Sequence, residues 1–211
     1  MKTGIFYWSF LLIVITTACQ LSTNSNQPLP ILGETEVVDG KTIYPTIPDF
    51  RFVDQDSNVV NNATFAGKAY VADFFFISCP TICPRVTKQM LRLYQKFKND
   101  DRLVLLSHTV DTKHDTIPRL KEHANRLEVT TDKWHFVTGN RDSIYNMANN
   151  YFSPRPSEDA SIPGGYNHSG LLILVDPARH VRAFADGTDP KAVDKFMIDI
   201  ERLLKEMGTK K

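Results

Sequence analysis

Ala69-Tyr70-Val71-Ala72-Asp73-Phe74-Phe75-Phe76-Ile77-Ser78-Cys79-Pro80-Thr81-Ile82-Cys83-Pro84 is the stretch from which the fold can be read. Ala69 to Ile77 is a continuous apolar run broken only by Asp73, the pattern of a strand buried on both faces. Pro84 suits the first turn of a helix, and the apolar residues Val86, Met90, Leu93, Tyr94 and Phe97 keep a helical spacing. Cys79 and Cys83 therefore stand where a buried strand feeds a helix, the place α/β proteins reserve for chemistry. The positive end of the helix dipole favours thiolate there, and Pro84 biases Cys83 away from helical dihedrals. A three-residue spacer lets the cysteines approach to disulfide distance, or lets both sulfurs face one metal ion. The plainer alternative is a buried structural pair or an inert disulfide. The flanking prolines and the strand-to-helix position argue against it.

Working outward, Asp49 to Val53 alternates and Asp54 to Asn58 is turn-like before Val59-Val60, which predicts a β-hairpin. Downstream, Leu103 to Leu106 opens a strand, and Leu120, Ala124 and Leu127 mark a helix starting near Asp115-Thr116. Trp134 to Val137 reads as a short strand, Arg141 to Tyr151 as a helix with Ile144, Met147, Ala148 and Tyr151 on one side. Leu171 to Val175 and Val181 to Ala185 form a second hairpin about a turn at Asp176 to His180, and a last helix runs from Pro190 to Glu206. Strands alternating with helices, closed by an antiparallel hairpin and a helix, imply an α/β domain with a central mixed β-sheet flanked by helices. A thioredoxin-like fold with an N-terminal β-hairpin extension satisfies this order.

The remaining sequence is an address and a spacer. Lys2 precedes an almost wholly apolar run from Ile5 to Ile15, and Thr16-Thr17-Ala18-Cys19 places small residues before a cysteine. The run is shorter than the roughly 20 residues a bilayer crossing takes. Residues 1–18 thus read as a lipoprotein-type signal peptide with Cys19 as the lipidated residue, although Thr16 stands where Leu is commonest. An uncleaved anchor is the alternative; both place the domain outside the cytoplasm on a membrane. Residues 19–46, rich in Ser, Asn, Gln, Thr and Pro, read as a flexible tether. The domain is expected over 47–211. A net charge of +1 on 211 residues gives no electrostatic case for nucleic acid, and nothing indicates an oligomer.

The segment from Phe75 to Pro84 resembles the signature of the Sco/SenC family. Val110-Asp111-Thr112-Lys113-His114-Asp115-Thr116 is similar to its Asp-Pro-x-x-Asp-Thr segment, with Thr112 in place of the usual proline. Trp134 to Gly139 and Tyr166-Asn167-His168-Ser169 follow in the family's order and approximate spacing. The resemblance implies copper, as Cu(I) or Cu(II), bound by Cys79, Cys83 and His168. By itself a loop histidine reads as surface; in a thioredoxin fold, however, the loop before the Leu171 strand lies against the cysteines. Two thiolates and an imidazole suit three-coordinate Cu(I), and a structural zinc would ask for a fourth protein ligand.

Asp111 and Asp115 form a pair that could suggest a metal site, but Asp111 is expected to hydrogen-bond loop backbone and Asp115 or Thr116 to cap the following helix, with a place beside the copper as a further option. His123 and His180 read as solvated. Asp73 reads as a buried polar partner of the site whose own partner the sequence does not name.

The family implies a metallochaperone that matures the dinuclear copper centre of cytochrome c oxidase. Its partners would be the copper-site subunit and another copper chaperone or a thiol reductant. The competing reading is a thiol–disulfide oxidoreductase, in which Cys79 and Cys83 reduce the oxidase's copper-site cysteines and are themselves catalytic. A thiol peroxidase fits poorly, because Pro80 and Phe76 occupy positions such enzymes need for other residues.

Overall fold

The computed structural model describes residues 27–208. The apolar run at 5–15 and Cys19 lie outside the described residues. In chain order the elements are β1 (Glu36–Val38), β2 (Lys41–Ile43), β3 (Arg51–Asp54), β4 (Val59–Asn61) and β5 (Ala69–Phe75), followed by α1 (Cys83–Phe97), β6 (Leu103–Thr109) and α2 (Ile117–Arg126). Then come β7 (Trp134–Thr138), α3 (Arg141–Asn150), β8 (Ser157–Glu158), β9 (Tyr166–Asn167), β10 (Leu171–Val175), β11 (Val181–Asp186) and α4 (Pro190–Glu206).

Seven strands form one mixed sheet in the order β11-β10-β5-β6-β7-β3-β4. The central strands β5, β6 and β7 are parallel, and the others add antiparallel on either side. All seven residues of β5 are buried, as a strand covered on both faces requires. This is the expected α/β, thioredoxin-like architecture, and the β3–β4 hairpin extends its sheet at one edge.

Alternation along the strands sorts the helices. Phe75, Trp134 and Phe136 face one layer, where His123 of α2 stacks on Phe75 and Tyr94 of α1 lies beside Trp134. Tyr70, Phe74 and His108 face the other, where Tyr151 closes α3. Helix α4 lies alongside α1, tied by exposed pairs from Arg92 to Asp194 and Lys96 to Glu201. Exposed pairs of this kind contribute at most about 1 kcal/mol each, so they set register more than stability. The core between the layers is aromatic. Trp134, Phe136 and Tyr151 are each no more than 1% exposed.

The tether expected over 19–46 is docked from Leu29 onward. Leu29 is buried, its N–H donates to Glu206, and the N–H of Leu32 donates to the carbonyl of Val181. Arg182, itself buried, donates to the carbonyls of Leu29 and Pro30 and to Asp176 and Glu206. Such acceptors offset the cost of taking a guanidinium out of water. Composition masked this docking, because a single leucine beside a proline is enough once an arginine receives the backbone. Beyond it β1 and β2 form a hairpin that is exposed throughout, including Val37, Val38 and Ile43.

Candidate metal centre

Strand β5 ends at Phe75, and residues 76–82 form turns and bends before α1 begins. The helix starts at Cys83 with Pro84 in its first turn, one residue earlier than the proline rule predicts. Cys79 and Cys83 are both buried, unbridged thiols. His168 reaches them from the segment between β9 and β10, the strand that pairs directly with β5. Its Nε2 lies 3.3 Å from the sulfur of Cys83 and 3.8 Å from that of Cys79. The three donor atoms all lie within 4.8 Å of one another, and among the described residues no other group of three joins them.

The imidazole is oriented by its other nitrogen. Nδ1 sits 3.1 Å from the carbonyl of Ser169, which assigns the proton to Nδ1 and aims the Nε2 lone pair at the sulfurs. The edge of Phe76 meets the ring at 5.4 Å. Gly164 carries φ +88°, and a Cβ there would stand 2.8 Å from the Phe76 ring and 2.9 Å from Pro80. Only glycine lets the 159–165 loop lie so close over the cysteine turn.

The two thiols are unequal. A hydrogen bond from Cys83 holds Cys79 well below the usual thiol range despite the opposing effect of burial. Cys83 is pushed up by its bond to Cys79 and by burial. The helix-dipole argument favours thiolate at both cysteines; their mutual hydrogen bond lowers Cys79 and raises Cys83. Thr81 Oγ1, 3.6 Å from the Cys79 sulfur, is a further neighbour of the low thiol.

Asp111 and Asp115 act one step away from the donors. Asp115 accepts the N–H of Ile77 at 3.0 Å and the hydroxyl of Thr109 at 2.6 Å, which pins the chain just before the cysteines. It does not cap α2. Thr116 holds the N-cap position and makes no side-chain cap bond. Asp111 accepts the N–H of His114, as expected of a loop aspartate, and also the hydroxyl of Tyr166 at 2.8 Å. Tyr166 packs on Phe76 at 5.1 Å, so Asp111 steadies the segment that carries His168.

Asp73 finds its partner across the sheet. It is in register with Ser107 on β6, whose hydroxyl donates to the carboxyl and accepts Trp134 Nε1–H at 2.9 Å. Burial raises the Asp73 carboxyl to about 7, with the Ser107 bond working against the shift. Ser107 and Thr109 have no motif to announce them; the β5–β6 register sets Ser107 opposite Asp73, and the loop after β6 brings Asp115 back to Thr109. His123, expected in solvent, is partly buried between Phe75 and Phe136, and burial lowers its pKa to about 4.

A thioredoxin-like domain that brings a strand–helix dithiol against an imidazole defines a class of proteins suited to a soft metal ion or to thiol exchange. A family model described as SCO1/SenC matches residues 39–205, and the chain belongs to that family. A SCO1 protein homolog of Bacillus subtilis (strain 168) is 30% identical over 161 residues, covering 74% of this chain and 81% of the relative. A Stutzerimonas stutzeri protein named for copper binding is 27% identical over 182 residues, 82% of this chain and 86% of its own. Among solved structures, a SCO1/SenC family lipoprotein from Bacillus anthracis str. Ames superposes with TM-score 0.68 at 25% identity over 75% of this chain and 95% of that one. BsSco, described as a member of the Sco family of cytochrome c oxidase assembly proteins with a disulfide switch, gives TM-score 0.66 at 27% identity over 78% and 95%.

Proposed function

We propose that the chain is a copper carrier that binds one ion through Cys79, Cys83 and His168 and delivers it to the dinuclear copper centre of a cytochrome c oxidase. The observation that carries this reading is the convergence of two thiols and one Nε2 lone pair within 4.8 Å. Sulfur and imidazole donors suit copper, and family membership together with the copper-named relative supports the choice. Copper is cargo here: the protein's part is to hold both thiols reduced, offer Cys79 as the ready thiolate, and fix the imidazole tautomer through Ser169. The oxidase as destination rests on the description of BsSco.

Attachment through a lipidated Cys19 to the outer face of a membrane is part of the same proposal, supported by the lipoprotein relative from Bacillus anthracis. Among the described residues no helix is long and apolar enough to cross a membrane.

The test is a copper titration of the reduced protein, read by absorption and by competition with a Cu(I) chelator. One tight copper per chain is expected, with a thiolate-to-Cu(II) band that alkylation abolishes. Copper retained at full stoichiometry and unchanged spectrum by His168→Ala would refute the three-donor site.

The inequality of the thiols favours a second reading. Cys79 as thiolate can attack a partner's disulfide, releasing one partner thiolate and forming a mixed disulfide. Cys83 then attacks Cys79, expelling the second thiolate, so the partner gains two electrons and Cys79–Cys83 becomes the disulfide. Weak copper binding together with fast reduction of a target disulfide would select this reading over copper delivery.

A further inference from the structure

A groove of about 280 Å³ runs from the cysteines between α1 and α2. Its head is Cys79 and Cys83, its floor is apolar, with Phe75, Leu91 and Leu127, and Lys88 stands on its rim. No lining residue is acidic. His123 in its wall stays neutral, because burial lowers its pKa to about 4.

The charges on the two helices divide by position. Away from the cysteines each base is neutralised within the chain: Arg92 by Asp194, Lys96 by Glu201, Lys121 by Asp56, and Arg126 by Glu122. At the cysteine end, among the described residues, Lys88 and Lys113 make no ion pair. The Arg119 guanidinium there donates only to the carbonyl of His114, and all three side chains are exposed. Helix α1 has no acidic residue along its whole length. Lys88 on the rim, with Lys113 and Arg119 on the neighbouring loop and helix, sets positive charge beside an apolar floor that leads to a dithiol, which is complementary to one kind of surface.

We infer that this groove docks an extended, thiol-bearing segment of an acidic protein, with an apolar side chain beside the thiol on the groove floor and carboxylates meeting Lys88, Lys113 and Arg119. The inference rests on the proposed exchange with a thiol partner and adds the partner's chemistry. Attraction of this sort acts mainly on the rate of encounter and is screened by salt.

The test uses three synthetic peptides, each with a Cys-x-x-x-Cys pair and a neighbouring leucine, flanked by glutamates, glutamines or lysines. Copper transfer from the Cu(I)-loaded protein is followed by stopped flow. The glutamate peptide is expected to accept copper about tenfold faster than the lysine peptide at low ionic strength, with the difference lost near 0.5 M salt. Lys88→Glu combined with Arg119→Glu is expected to invert the order while copper affinity stays within twofold. Rates indifferent to peptide charge, or an order the double variant leaves in place, would overturn the docking inference.

A protein that holds no copper would instead refute the proposed cargo, and docking is then read by thiol exchange. Each reduced peptide is mixed with the Cys79–Cys83 disulfide form; the peptide dithiol becomes a disulfide as the protein regains two thiols. The same charge order is expected there, and its absence counts against the groove.

Discussion

Replacing Asp73 by asparagine should change the pH dependence of stability more than stability itself at low pH. Asp73 is buried in the middle of β5, and burial lifts its carboxyl from 3.8 to about 7. Between those values the folded protein keeps a proton that the unfolded chain releases. Its contribution is therefore full below about pH 4 and is lost as pH rises through about 7. The span is roughly 3 pH units at 1.36 kcal/mol each, an upper bound of about 4 kcal/mol that relaxation around the buried charge will reduce. Asparagine keeps an acceptor for Ser107 and carries no charge at any pH. Urea unfolding of the reduced parent and Asp73→Asn proteins from pH 4 to pH 8 measures the difference, in which all other titrations cancel. The variant is expected to match the parent near pH 4 and exceed it by about 2–4 kcal/mol at pH 8. A difference that stays constant across the range, or that moves against the variant as pH rises, would show that Asp73 does not hold its proton in the folded state.

At pH 6, iodoacetamide should label Cys79 well ahead of Cys83, as read by peptide mass spectrometry. Asp115→Ala frees the N–H of Ile77 and the hydroxyl of Thr109. It should lower unfolding free energy by about 1–3 kcal/mol and weaken chelator-measured copper affinity without altering stoichiometry. Arg182→Met strands Asp176 and Glu206 and releases Leu29. Limited proteolysis should then cut between residues 29 and 45 in the variant and spare the parent.

The order of elements along the chain and the cysteine pair were legible because each rests on a local rule: an apolar run broken only by Asp73 for β5, helical spacing after Pro84, turn residues at Asp176 to His180. The position of His168 was legible only through the fold, which brings the start of β10 against the end of β5. What stayed hidden depends on neighbours remote in sequence. Ser107 reads as an ordinary polar residue until register sets it opposite Asp73. His123 reads as solvent-facing on a charged helix until Phe75 and Phe136 enclose it. The aspartates at 111 and 115 look like a ligand pair or helix caps, and their actual partners, Tyr166 and Ile77, come from other loops.

The docking of Leu29 gives the domain a polarity. Leu32 meets Val181, which pairs with Val175, and Val175 pairs with Tyr70 near the start of β5; the sulfurs follow the other end of that strand. Seven residues of strand separate the two ends, about 20 Å. The segment docked at Leu29, held by Arg182, thus lies at one pole, and the dithiol and imidazole stand at the opposite one. A partner for the sulfurs must therefore be met at the end of the sheet remote from the docked Leu29 segment.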